Sequence, residues 1–170
     1  MLYNRRELKD VSKMTDKDYT PGGMTALLDA VGRTIHKMDM VAGIHRKDKG
    51  NKVLFVIITD GEENDSKEYT YADVKKLIKD RQENAGWEFI FLGANIDAAA
   101  AAENLGIDRD RAVKYKNTGS GVRANFKAVA ELSDSLAKSG RVSDRWKETV
   151  EKDEDDAADK QSAAVTSHRR

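Results

Sequence analysis

The sequence predicts an α/β fold of the Rossmann-like, three-layer kind: a mostly parallel sheet with helices on both faces. Three observations predict it. Two continuous apolar runs, "VLFVIIT" from Val53 and "WEFIFLG" from Trp87, lack the alternation of a half-solvated strand and read as strands covered on both sides. Segments with apolar residues at helical spacing stand before, between and after these runs. The connections are short, so the strands are expected to be joined by right-handed helical crossovers.

Taken in order, "MLYNRRELKDVSKMTDKDYT" reads as an N-terminal edge strand and loop over residues 1–20. "PGGMTALLDAVGRTIHKM" then opens on Pro21, Gly22 and Gly23. It places Leu27, Leu28, Val31, Ile35 and Met38 on one helical stripe. The polar loop "HRKDKGNK" leads into the first strong strand. "YTYADVKKLIKDRQENAG" predicts a helix with Tyr71, Val74, Leu77 and Ile78 inward and Gly86 as its stop. After "WEFIFLG", "DAAAAAENLG" predicts a short helix capped by Asp97 and ended near Gly106. "RAVKYK" reads as a weaker strand. "GVRANFKAVAELSDSLAKSG" reads as a helix burying Val122, Phe126, Val129 and Leu136, with Thr118 or Ser120 as its cap. Domain organisation follows: one α/β unit over residues 21–140, then a charged tail over residues 141–170. The tail, poor in large apolar residues, is expected to be mobile or ordered by a partner. Within it, Trp146 and Val150 could dock a single amphipathic turn.

Composition excludes several classes of function. In 170 residues, thirty basic and thirty acidic side chains cancel, so no whole-molecule field gathers nucleic acid or an acidic membrane. Lys75, Lys76, Lys79 and Arg81 interleave with Asp73, Asp80 and Glu83 as a solvated, ion-paired helix face. Cysteine is absent, which removes disulfides and thiolate chemistry together. The histidines, His36, His45 and His168, show no ligand spacing and support no Ser/His/Asp set. The N-terminus becomes charged too early for a signal peptide, and no apolar run reaches membrane-spanning length. The expected location is the cytoplasm, or a virion if the chain is phage-derived. "NTGSGVRANF" lacks both the P-loop lysine and dinucleotide-site spacing, so it reads as a strand-to-helix turn.

Ligands of parallel sheets bind beyond the carboxyl ends of the strands. Asp60 stands there after the first strong strand, Asn95 and Asp97 after the second, and Thr25 at the start of the preceding helix. Thr25, Asp60, Glu62, Glu63 and Asp65 offer hard oxygen donors of the kind that hold Mg²⁺ or Ca²⁺. The same residues also fit a helix cap followed by a solvated acidic turn.

"TPGGMTALLDAVG", "VLFVIITDGEEND" and "FIFLGANIDA" together resemble the von Willebrand factor A (VWA) family, in particular its compact bacterial and phage members. The likeness covers roughly residues 15–140. In that family a metal-ion-dependent adhesion site (MIDAS) joins an Asp-x-Ser-x-Ser loop, a threonine loop and a Thr-Asp-Gly loop. The resemblance implies that Thr25 and Asp60 match the second and third elements. No Asp-x-Ser-x-Ser occurs in this chain, so the resemblance implies an N-terminally truncated VWA fold with an incomplete site. Two protein oxygens would hold Mg²⁺ weakly or not at all.

The resemblance also implies that the strand beside "VLFVIIT" is missing, which would leave a long apolar edge with unpaired backbone groups. The expected function is a non-enzymatic protein–protein interaction module. Val53, Phe55, Ile57 and Thr59 would meet the partner, with Glu62 and Asn64 on the rim. That partner is either a second copy, giving a homo-oligomer, or a separate chain covering the edge at 53–59; otherwise residues 1–10 fold back into the vacant place. The alternative is a metal-free structural protein of a bacterial or phage assembly. A hydrolase or nucleotide-binding module is the third reading. The "TDGEEND" turn resembles the acidic loop of haloacid-dehalogenase-like phosphatases, but the Asp-x-Asp nucleophile pattern is absent.

Overall fold

A computed structural model describes residues 7–13, 15, 17–18, 23–44 and 52–152. The elements run α1 (Leu27–Ile44), β1 (Leu54–Thr59), α2 (Tyr71–Ala85), β2 (Glu88–Ala94), α3 (Ala98–Asn104), β3 (Ala112–Tyr115) and α4 (Gly119–Ser139). The sheet is parallel and three-stranded in the order β1-β2-β3. All of β1 pairs with β2, from Leu54 opposite Glu88 to Thr59 opposite Gly93. The shorter β3 pairs only with the carboxyl half, Phe91 to Ala94.

Strand alternation divides the core into two faces. Ile57, Phe89, Phe91 and Ala112 pack on one face beneath Leu28, Val31 and Ile35 of α1, Val74 and Ile78 of α2, and Ala98 and Ala102 of α3. Ile90, Leu92, Ala94, Val113 and Tyr115 pack on the other with Ala128 and Leu132 of α4. The fold is therefore the three-layer, Rossmann-like α/β arrangement that strand and helix alternation predicts.

Local signals end the helices as expected. Thr70 forms a capping box with Asp73 at the start of α2, and Gly86 ends that helix in the left-handed region at φ 64°. Asp97 caps α3 through the Ala100 amide, and Thr118 caps α4 through the Gly121 amide.

Several expectations need correction. "VLFVIIT" is packed on both faces, by Val53, Phe55 and Ile57 on one and Leu54 and Val56 on the other, except at Ile58, which is 45% exposed; among the described residues β1 is the edge strand that the missing neighbour implied. Tyr71 opens to the surface instead of pointing inward. On α4, Val122 and Phe126 are 38% and 64% exposed, whereas Gly121, Ala124, Asn125, Ala128, Leu132 and Leu136 form the buried line. Small residues let this helix lie close to the sheet, so its inner face is not its most apolar one.

The tail is also corrected, over residues 141–152. Val142, Trp146 and Val150 recur every four residues and are buried in the α4-side core, around a short 3₁₀ turn at Asp144–Lys147. Residues 153–170 lie outside the described set. Residues 1–6, 14, 16, 19 and 20 of the expected N-terminal edge strand and loop do too; among its described residues Leu8–Asp10 form a 3₁₀ turn and no strand is present. Among the described residues no helix is long and apolar enough to cross a membrane.

Candidate functional site

The carboxyl ends of the strands carry the loop between β1 and α2, which is strapped to the start of α1. The Thr25 amide donates to Asn64 Oδ1 at 2.8 Å, and the Asn64 and Asp65 amides donate to the Thr25 carbonyl at 3.0 and 3.3 Å. Glu63 serves as the N-terminal cap of α1, because its Oε2 accepts the Leu28 amide at 2.9 Å. The same carboxylate accepts the Asp65 and Ser66 amides and the Ser66 hydroxyl at 2.7–3.0 Å. Burial pushes the Glu63 carboxyl up, but these bonds outweigh it and hold it below the usual carboxylate range.

Asp29, 7% exposed, fastens the far end of the loop. Its two oxygens accept the Lys67, Glu68 and Tyr69 amides at 2.9–3.0 Å. The Lys67 bond foremost, then those from Glu68 and Tyr69, lower its pKa against the opposing effect of burial. Asp29 and Glu63 are thus occupied with backbone amides.

The two predicted metal ligands flank Gly61 on different sides. A Cβ built on Gly61 would lie 3.4 Å from the Thr25 hydroxyl, on the α1 side. The exposed Asp60 carboxylate leans toward β3 and α4, where Asn117 Nδ2 donates to it at 3.5 Å. Burial, then the Asp60 charge, raises the pKa of Tyr115 at the end of β3. Among the described residues no group of three His, Cys, Asp or Glu side chains converges as a cation cage. Thr25 and Asp60 supply too few oxygens for Ca²⁺, and Glu63 is already bonded four times. The donor set does not fit a cation held by these residues alone.

The predicted partner residues separate in the same way. Ile57 and Thr59 are buried, and Val53 and Phe55, partly buried, pack against the α1-side core. Glu62 is exposed, as a rim residue should be; Asn64 is exposed too, but its carbonyl is engaged by Thr25. Sequence reasoning missed Ile58, and it turned Val122 and Phe126 inward. Strand parity alone gave no signal for Ile58, because the even positions Leu54 and Val56 also pack on a core, the one on the α4 side.

A cleft of about 270 Å³ opens beside Gly61, lined by Glu62, Tyr71, Phe91, Ile96 and Leu105. It is smaller than most ligand pockets, which run from about 300 Å³ upward. Asn95 forms the turn at its side with φ 58°, a left-handed conformation that asparagine adopts more readily than most residues. No family model, curated protein or solved structure matches the chain.

Proposed function

We propose that this chain is a non-enzymatic protein-binding domain of the VWA type that receives its partner along the open edge of β1. The observation that carries this reading is the edge itself. β1 has no charged residue from Leu54 to Thr59, ends the sheet among the described residues, and exposes Ile58, while α4 exposes Val122 and Phe126. Edges of this kind are normally blunted by charge, proline or a covering element. A binding role is also supported by Asp29 and Glu63, whose carboxylates hold the loop in place and are not available for acid or base chemistry.

A Mg²⁺-dependent version is the second reading, favoured by the placement of the Thr25 hydroxyl and Asp60 on either side of Gly61. A cation there would need oxygens brought by the partner, as the VWA resemblance implies. The third reading is a metal-free structural role in an assembly, using the same edge.

Ile58→benzoylphenylalanine in the full chain, irradiated in cells, tests the edge. The expected result is a covalent adduct with a polypeptide, mapped by mass spectrometry. A folded chain that cross-links to no polypeptide at this position would overturn the reading. Thermal midpoints with EDTA and with millimolar Mg²⁺ separate the versions: a rise with Mg²⁺ that Asp60→Ala abolishes supports the metal-dependent one. Equal midpoints leave the metal-free one.

A further inference from the structure

The cleft beside Gly61 joins an apolar floor to an aromatic and acidic rim. Phe91 and Leu105, fully buried, and Leu27 and Ile96, partly buried, form the floor. Tyr71, the first residue of α2, stands on the rim with 43% of its surface exposed. An open aromatic face next to an apolar floor suits a ligand with an apolar stem and a cationic head.

Charge on the rim has one sign. Glu62, Glu63 and Asp97 line the cleft, and among the described residues no lysine, arginine or histidine does. The three carboxylates differ in what they have left to give. Glu63 accepts four hydrogen bonds that hold it ionised, so it contributes its field and no free oxygen. Asp97 commits Oδ1 to the Ala100 amide at 3.0 Å as the cap of α3. Glu62 is exposed, and among the described residues it accepts no hydrogen bond and enters no ion pair. Lys114 lines an adjoining hollow on the β3 side that also touches Glu62 and Asp97, but among the described residues no ion pair joins it to either. The field reaches the phenol: after burial, the charges of Glu63 and Glu62 raise the pKa of Tyr71.

Size narrows the occupant. At about 270 Å³ the cleft falls below the range of about 300–1,000 Å³ that holds whole cofactors and drug-sized ligands, and it admits one long side chain. Arginine meets each condition. Its methylene stem packs on apolar surface, its planar guanidinium stacks on an aromatic ring, and its fork of donors matches a carboxylate. Lysine brings a compact, strongly hydrated charge that stacks less well.

We propose that this cleft receives an arginine side chain of a partner polypeptide, with the guanidinium on the Tyr71 ring and donating to Glu62, and the stem on the floor of Leu27, Phe91, Ile96 and Leu105. The inference goes beyond the β1-edge reading and does not depend on it, because the cleft is built from α1, α2, α3 and the loops between them and the sheet.

NMR titration of the isotope-labelled full chain with the capped peptide acetyl-Gly-Arg-Gly-amide tests it. Saturable shifts of the Gly61, Glu62 and Ile96 amides are expected, with a Kd of about 1 mM, as a single side chain supplies. Glu62→Gln and Tyr71→Leu, both at exposed positions and with unchanged circular dichroism, should each weaken binding about threefold or more. The citrulline peptide, alike in shape and uncharged, should not bind, and the lysine peptide should bind more weakly than the arginine one. The absence of saturable shifts up to about 20 mM overturns the proposal. So does a citrulline or lysine peptide of equal affinity, or an affinity unchanged in both variants. Free arginine binding more tightly than the capped peptide would make the occupant a small molecule and overturn the polypeptide. The position-58 adduct reads the β1 edge and the titration reads the cleft, so each can fail without the other.

Discussion

Asp29, Asp60 and Glu63 surround one turn, and burial and hydrogen bonding give them different tasks. Asp29 and Glu63 accept backbone amides in their charged form, whereas Asp60 is exposed and has a long contact to Asn117. Both strapped carboxyls have folded-state pKa values below their unfolded ones. Each therefore contributes stability that is complete above the ordinary carboxylate pKa of about 4 and lost as pH falls through the lower folded value. Asp29→Asn should lower the melting midpoint at neutral pH, because an amide leaves one oxygen to serve three donors. It should also flatten the decline in midpoint between about pH 5 and about pH 3. Melting curves of parent and variant that stay parallel across that range would show that Asp29 is not the acid-sensitive clamp. The "TDGEEND" motif made this turn visible as acidic, but not the division of labour within it. The groups that decide it, the Leu28 amide for Glu63 and the Lys67 to Tyr69 amides for Asp29, stand 35 to 40 residues away in sequence.

At the scale of the element, apolar periodicity located the helices and the size of their residues misled about which face is inner. The stripe on α1 was legible because Leu28, Val31 and Ile35 are both large and buried. The inner line of α4 is built from Gly121, Ala124 and Ala128 until Leu132, and a Cβ on Gly121 would come within 2.1 Å of the Lys116 carbonyl oxygen. Close approach to the sheet selects small residues there, and the large ones, Val122 and Phe126, fall on the flank. The C-terminal segment shows the converse, since three apolar residues among charges suffice to anchor it: Val142, Trp146 and Val150. Trp146→Ala should cost about 3–5 kcal/mol by urea unfolding, toward the lower end because the buried indole N–H lacks a partner. Phe126→Ala, in solution dilute enough to keep chains apart, should change stability by only about 0.5 kcal/mol. Equal effects of the two substitutions would mean that residues 141–152 are not part of the core.

For the whole molecule, strand and helix alternation was enough to read the α/β class, because each crossover is local in sequence. Which strand ends the sheet was not legible in the residues of that strand. "VLFVIIT" and "WEFIFLG" are equally apolar, yet among the described residues β2 is flanked on both sides and β1 on one, a difference set by neighbours elsewhere in the chain. Among the described residues no strand pairs with the outer edge of β1, and the proposed binding role makes that edge the surface of association. Formal net charge is zero at pH 7, which removes the long-range repulsion that would keep copies apart. With a second copy as the partner on this edge, stability depends on concentration through mass action. The thermal midpoint is expected to rise by about 2 °C for each tenfold increase in protein above the dissociation constant. Phe126→Glu should remove that slope and leave the dilute-limit midpoint nearly unchanged, because Phe126 is outside the core of the single chain. A midpoint independent of concentration for the parent chain would mean that the edge contributes nothing to its stability. A slope that survives in the variant would place the association on another face.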